Sequence, residues 1–248
     1  MAALRALGRS VGLVLHLLHG MLLMALLWQR LDVASRQRRI QWWSAVLLRR
    51  AGLTLSVQGA PRPGGALLVA NHVSWLDIAA IHAACPQARF VSKADVKRWP
   101  LLGWLIAGAG TLFIERERKR DAMRMVHEMA AALQRGETVA VFPEGTTGPG
   151  ATVLPFHANL LQAAIAVAAP IQPVALRFAE PGQPFSVAAQ YIGETTLLQS
   201  LWRVLAAQGL SVAVDFLPPQ ASAHAERRAL AATLQQQIQQ RLDEQAGG

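Results

Sequence analysis

From residue 54 onward, short apolar runs alternate with longer helical patterns, and this alternation constrains the fold more than any other feature. Strand-like runs lie at 53–57, 66–70, 89–91, 111–114, 138–142, 171–176, 185–191 and 212–216. Helix-like stretches lie at 77–84, 101–108, 119–135, 157–168, 196–207 and 222–245. Short apolar runs bounded by turn residues suit buried strands. Strands interleaved with helices imply an α/β sheet covered on both faces. Gly-Pro clusters at 59–65, 148–150 and 181–184 mark turns. With 248 residues the chain can bury a full core as one domain, or as one domain plus an appendage. No internal repeat interrupts the pattern.

Chemistry concentrates where one of these strands ends. The run at 66–70 is followed by Asn71-His72-Val73-Ser74-Trp75-Leu76-Asp77 and then by a helix start, with Ser74 and Asp77 as possible caps. His72 therefore sits in a strand-to-helix turn at a sheet edge, where α/β proteins place ligands. Positions five apart diverge by more than a quarter turn on a continuous helix, so the turn must fold His72 back towards Asp77. An imidazole held by a carboxylate is the usual general base for deprotonating an alcohol. The competing reading is a surface turn whose histidine caps the helix.

The N-terminal region has a different character. Residues 11–28 contain no Asp, Glu, Lys or Arg, a length just sufficient for a tilted helix to cross a thin bilayer, although His16 and His19 weaken that case. Gln29-Arg30-Leu31-Asp32 does not resemble a small-x-small cleavage site, which counts against a signal peptide. Arginines on both flanks (Arg5 and Arg9 before; Arg30, Arg36, Arg38 and Arg39 after) suit a helix that enters one leaflet and stays on the cytoplasmic side. A second stretch, 40–53, carries Trp42-Trp43, residue types that favour the headgroup level. The expected division is an anchor of two helices over 1–50, a catalytic α/β domain over 51–220 and an exposed helical tail over 221–248. An apolar helix packed on the protein's own core remains open for 11–28.

The formal charge of +9 comes almost entirely from arginine, clustered beside the apolar segment and around 116–124. The aromatic-interleaved basic patch of a single-strand binder and a groove-reading basic helix are both missing, so nucleic acid is not an expected partner. Cys85 is the only cysteine, which excludes an internal disulfide and a cysteine-based zinc site. His16, His19, His82, His127 and His224 show no ligand spacing with acidic partners and are taken as structural or solvated.

Two further blocks follow strands. Gly110-Thr111-Leu112-Phe113-Ile114-Glu115-Arg116 places an arginine beyond a strand end, where it can fork two donors onto a phosphate. Phe142-Pro143-Glu144-Gly145-Thr146-Thr147 begins at the end of the run at 138–142, and its glycine lets backbone approach a ligand closely. A Gly-Pro-rich surface loop is the plain alternative.

These pieces, in this order, resemble the glycerolipid acyltransferase family, typified by bacterial 1-acyl-glycerol-3-phosphate acyltransferases. His72 and Asp77 match its His-x4-Asp block, Gly110 with Phe113-Ile114-x-Arg116 the second, and Phe142 to Thr146 the third. Ile171-Gln172-Pro173-Val174-Ala175-Leu176 is similar to the fourth, and the likeness covers about 55–180. The resemblance implies an α/β fold with a mixed central sheet flanked by helices. It implies transfer of a fatty acyl group from an acyl-CoA or acyl carrier protein thioester, with no bound cofactor or metal. The acceptor would be a lysolipid hydroxyl, foremost that of 1-acyl-glycerol-3-phosphate, giving phosphatidic acid in phospholipid biosynthesis. His72 would be the base and Asp77 its orienting group. Acceptor contacts are expected from Asn71, Arg116, Glu144, Gly145, Thr146, Thr147 and His157, with Lys93 a weaker candidate. Backbone N–H groups near Gly145 would hold the oxyanion.

Two departures bear on the acceptor. The family's third block usually continues with arginine, where Thr147 stands, and its following Phe-Lys segment reads Phe156-His157. Members that acylate lyso-ornithine lipid have a second threonine there, so that acceptor is the alternative. Membrane lipids and an inner-membrane location with a cytoplasmic catalytic domain complete the expectation. The rivals are a non-catalytic membrane scaffold and a thioesterase that uses the same base on water. The letters Gly8-x-Ser10-x-Gly12 match a nucleophile elbow but open an apolar helix instead of following a strand.

Overall fold

The computed structural model describes residues 1–93, 108, 110–114 and 119–247, with side chains at all of these but 92, 93, 113, 114 and 119–122. Two helices, α1 (Ala2–Leu26) and α2 (Val33–Ala51), come first, joined through a 3-10 turn at Trp28–Arg30. Then follow β1 (Thr54–Gln58), β2 (Leu67–Ala70), α3 (Leu76–Ala84), β3 (Arg89–Lys93), β4 (Leu112–Ile114), α4 (Lys119–Gln134) and β5 (Val139–Val141). A 3-10 turn at Ala158–Leu161 runs into α5 (Gln162–Ala166), followed by β6 (Ile171–Ala179), α6 (Leu197–Ala206), β7 (Ser211–Phe216) and α7 (Arg227–Gly247).

The described strands form one sheet in the order β1-β7-β6-β2-β5-β3-β4. Only β6 and β7 pair antiparallel, so the sheet is mixed, as the resemblance implies. β2 is central and apolar at every position, as a strand covered on both faces must be. Its alternate residues divide between two cores. Leu68 and Ala70 join Leu76, Ile81, Leu176 and Leu205 on one face, while Leu67 and Val69 join Met129, Leu133, Leu161 and Leu234 on the other.

Three readings of the sequence change. Residues 185–191, expected as a strand, are turns and bends: Ser186 Oγ accepts from Ala189 N at 3.1 Å, a local bond that competes with ladder pairing. The helix expected over 157–168 is the 3-10 turn plus the single short turn of α5. The tail is not simply exposed, because Leu230, Leu234, Ile238 and Leu242 of α7 are buried at helical spacing. The helix expected over 101–108 falls almost entirely outside the described residues.

α1 and α2 pack on each other through the two residue types that looked least apolar. His16 is 2% exposed, stacks on Trp43 with ring centroids 4.9 Å apart, and places Nε2 2.9 Å from the Trp43 carbonyl. Gly20 makes room, since a Cβ there would lie 2.6 Å from Trp43 Nε1. The remaining face of α1 is apolar and uncovered: Leu4, Leu7, Val11, Val14, Leu15, Leu18, Leu22 and Leu26 are all exposed. α1 is long and apolar enough to cross a membrane.

His82 gives the fold an acid-sensitive point. It is buried on α3, its Nε2 lies 3.0 Å from the Ala88 carbonyl, and Phe90 meets it edge-on at 4.9 Å. Burial pushes its pKa down from 6.5 to about 4. The unfolded chain therefore takes up a proton that the folded one refuses. This contribution to stability is complete above pH 6.5 and is lost as pH falls towards about 4. Urea midpoints measured across that window are expected to fall less steeply in His82→Phe than in the wild type.

Candidate active site

The site is assembled by strand register. β2 and β5 run parallel with Val69 opposite Val141, so three residues past that pair the chain reaches His72 on one side and Glu144 on the other. Both segments leave the carboxyl end of the sheet, where the crevice of an α/β fold lies. They are tied through the peptide groups of His72. Its N–H donates to Glu144 Oε1 at 2.7 Å, and its carbonyl accepts from Gly148 N at 2.7 Å.

Asp77 folds the turn back as the spacing required. Its Oδ2 accepts from His72 Nδ1 at 2.7 Å, Val73 N at 2.7 Å and Ser74 N at 2.9 Å. The expected cap at Ser74 is not made: its Oγ is buried without a partner among the described residues. Asp77, fully buried in the first turn of α3, instead reaches back to hold the turn that precedes the helix, which has no side-chain cap. A carboxylate can only accept here, so Nδ1 carries the proton and Nε2 presents its lone pair. The ring lies flat on Phe142, centroids 4.1 Å apart and planes 11° apart, and its side chain stays 22% exposed. This imidazole is fixed in tautomer and plane, and its side chain remains partly open to solvent.

The sequence model of the acyltransferase family matches residues 55–177. A lyso-ornithine lipid O-acyltransferase from Pseudomonas aeruginosa is 39% identical over 203 residues, 82% of this chain and 78% of that protein. A 1-acyl-sn-glycerol-3-phosphate acyltransferase from Neisseria gonorrhoeae is 38% identical over 177 residues, 71% of this chain and 69% of that one. The chain belongs to the acyltransferase family. The fold agrees: the crystal structure of the 1-acyl-sn-glycerophosphate (LPA) acyltransferase PlsC from Thermotoga maritima superposes with a TM-score of 0.66 at 18% identity, covering 95% of this chain and 97% of that one.

Within this acyltransferase the other expected site residues separate into different tasks. Asn71 is 1% exposed and uses both ends of its amide on Leu176 of β6, donating to the carbonyl at 2.9 Å and accepting from the N–H at 2.8 Å. In this structure Asn71 therefore pins β2 to β6. Glu144 is 5% exposed, and its Oε2 accepts from Leu154 N at 3.0 Å, so it clamps two backbone segments. Burial pushes its pKa up to about 7, against the two N–H donors that favour the ionised form. Gly145 has φ +71°, and its N–H closes a turn on the Phe142 carbonyl at 3.2 Å.

Thr146 is exposed at the loop tip, and His157 brings its ring against Gly145, where a Cβ would lie 3.0 Å from Cδ2. Thr147 Oγ1 donates to the Tyr191 carbonyl. Arg116 and the side chain of Lys93 lie outside the described residues.

Several contributors carried no sequence signal. The 185–191 segment docks on the crevice, with Tyr191 N donating to the Val73 carbonyl at 3.1 Å. Trp75 Nε1 donates to Ser200 Oγ of α6 at 3.2 Å. Two tail glutamines hold the loop that feeds Glu144: Gln239 Oε1 accepts from Val153 N at 2.8 Å, and Gln235 Nε2 donates to the Val153 carbonyl at 3.0 Å.

Proposed function

We propose that this acyltransferase esterifies the free hydroxyl of a membrane lysolipid with a fatty acyl group taken from a thioester. The observation that carries the reading is the His72–Asp77 pair at 2.7 Å, which leaves the Nε2 lone pair to act as the base on a partly exposed side chain. The acceptor hydroxyl passes its proton to Nε2 as its oxygen attacks the thioester carbonyl. The tetrahedral adduct collapses with cleavage of the C–S bond, and the thiolate leaves with the proton returned from the imidazolium. No covalent acyl-enzyme is formed on this route. A strongly basic chain suits an acidic donor, either an acyl carrier protein or the phosphates of coenzyme A.

The first acceptor is 1-acyl-glycerol-3-phosphate, the substrate in the name of the Neisseria gonorrhoeae relative. A second acceptor, lyso-ornithine lipid, is favoured by a specific observation: Thr147 stands in the third block and spends its hydroxyl on the Tyr191 carbonyl, so this position supplies no charge for a phosphate. The Pseudomonas aeruginosa and Rhizobium meliloti relatives carry that activity in their names. The uncovered apolar face of α1 serves as the anchor, holding the catalytic domain on the cytoplasmic side of the inner membrane, where a lysolipid reaches the crevice without crossing water.

An acceptor screen separates the readings. Membranes containing the protein are given labelled acyl donor with lysophosphatidic acid, with lyso-ornithine lipid, or with neither. Labelled phosphatidic acid is the expected product. Product from the ornithine acceptor alone moves the substrate and keeps the chemistry, while free fatty acid without either ester identifies a thioesterase.

A further inference from the structure

We propose that α6 is a second membrane contact, laid on the bilayer beside α1 so that the catalytic turn is seated at the lipid surface; this rests on reading α1 as the anchor. α6 is amphipathic in an unusual direction. Its inner side is buried through Ser200 and Val204, while Leu198 is 78% and Trp202 51% exposed. Leu198, Trp202 and Leu205 fall at i, i+4 and i+7 and so share one face. The far end of that face turns into the core, where Leu205 is buried in the same cluster as Ala6 and Leu13 of α1.

Two arginines fasten the seam. Arg9 Nη1 donates to the carbonyls of Leu205 at 2.9 Å and Ala207 at 2.7 Å, and Arg5 donates to Ala206 at 3.0 Å. These bonds satisfy carbonyls that the end of α6 would otherwise leave without partners. Leu198 and Trp202 on α6, like Leu4, Leu7 and Val11 on the adjoining α1, are exposed apolar side chains.

The occupant of this face is a lipid bilayer. At ten residues α6 is too short to span, and a helix with one apolar face lies in the interfacial plane instead. Tryptophan is the side chain that settles at headgroup depth. Arg203, exposed next to Trp202, adds positive charge at the same level and suits anionic lipid. The inner side gives the contact its purpose. Ser200 accepts from Trp75, which stands between His72 and Asp77 in the catalytic turn. α6 and Trp75 thus link the lipid-facing surface to the catalytic turn, so that a lysolipid hydroxyl reaches His72 while its acyl chain stays in the membrane.

Cys85 is buried and is the only cysteine, so single introduced cysteines can be spin-labelled. Leu198→Cys on α6 and Leu15→Cys on α1 are labelled in the full chain. Each is bound to vesicles containing anionic phospholipid, and its accessibility to oxygen and to a water-soluble nickel complex is measured. The expected result is both labels immersed. An immersed label at 15 with a water-accessible one at 198 overturns the second contact and keeps the anchor. Water access at both positions removes the anchor and the inference together. A label at 198 shielded from both agents, with a doubled protein mass, assigns the face to a second copy and overturns the proposal. In parallel, Trp202→Glu is expected to lower turnover of vesicle-embedded acceptor by about tenfold or more. The same variant should leave turnover in detergent micelles unchanged; equal losses in both would contradict the proposal.

Discussion

Asp77→Asn is expected to lower acyl transfer by roughly 10²–10⁴-fold while leaving the fold intact. The asparagine carbonyl can still accept from Val73 N and Ser74 N, the two backbone donors now held at 2.7 and 2.9 Å. The same carbonyl oxygen can accept from His72 Nδ1, but it carries no charge, so the imidazolium that forms when Nε2 takes the proton loses its stabilising partner. Asp77→Ala separates the orientation of His72 from the hold on the turn before α3. It removes the acceptor from three donors at once, two of them backbone groups in a buried turn. Each buried unsatisfied N–H costs about 1–3 kcal/mol, so the alanine variant should also melt at clearly lower urea concentration. Steady-state rates beside urea titrations check both statements. An asparagine variant with wild-type turnover would mean that Asp77 serves the turn alone.

The second large effect is expected at Glu144. Its two oxygens hold the backbone of His72 and of Leu154, the first residue pair linking the catalytic turn to the loop after the third block. Glutamine offers one acceptor and one donor, so one of the two N–H groups meets another donor. Glu144→Gln is therefore expected to destabilise the protein by about 1–3 kcal/mol and to lower kcat by displacing His72. The pH dependence carries a separate signature. The folded pKa of about 7 stands above the usual 4.5, so the folded protein binds a proton that the unfolded chain has already released. That contribution is present below pH 4.5 and is lost as pH rises through about 7, opposite in sign to the contribution of His82. Urea midpoints of Glu144→Gln should fall less than those of wild type over this window. Parallel curves would place the ionisation elsewhere.

Local chemistry was legible in the sequence wherever one strand and the turn after it contained the answer. The run before Asn71 is fully apolar because β2 is central, and His72 with Asp77 sit on a single turn, so both could be read without the fold. What depended on register was hidden. Nothing in the sequence says that Val69 faces Val141, and that pairing alone brings Glu144 under the His72 peptide. Asn71 looked like a ligand because it precedes the histidine; its real partner is Leu176, more than a hundred residues away.

Residues 185–191 alternate like a strand, yet Ser186 turns the chain and Tyr191 docks on Val73. His16 argued against a membrane helix only while its partner was unknown, since Trp43 of α2 covers it. The tail glutamines read as a solvated face because polar residues that bond backbone leave no periodic signal.

The most direct test is acyl transfer by wild type and His72→Ala, each in membranes with labelled thioester and a lysolipid acceptor, at equal protein and with vesicle binding measured in the same samples. Labelled diacyl product in the wild type, lost by roughly 10²–10⁴-fold in the variant while binding is unchanged, is the predicted result. Equal product from the two proteins would contradict the assignment of His72 as the base.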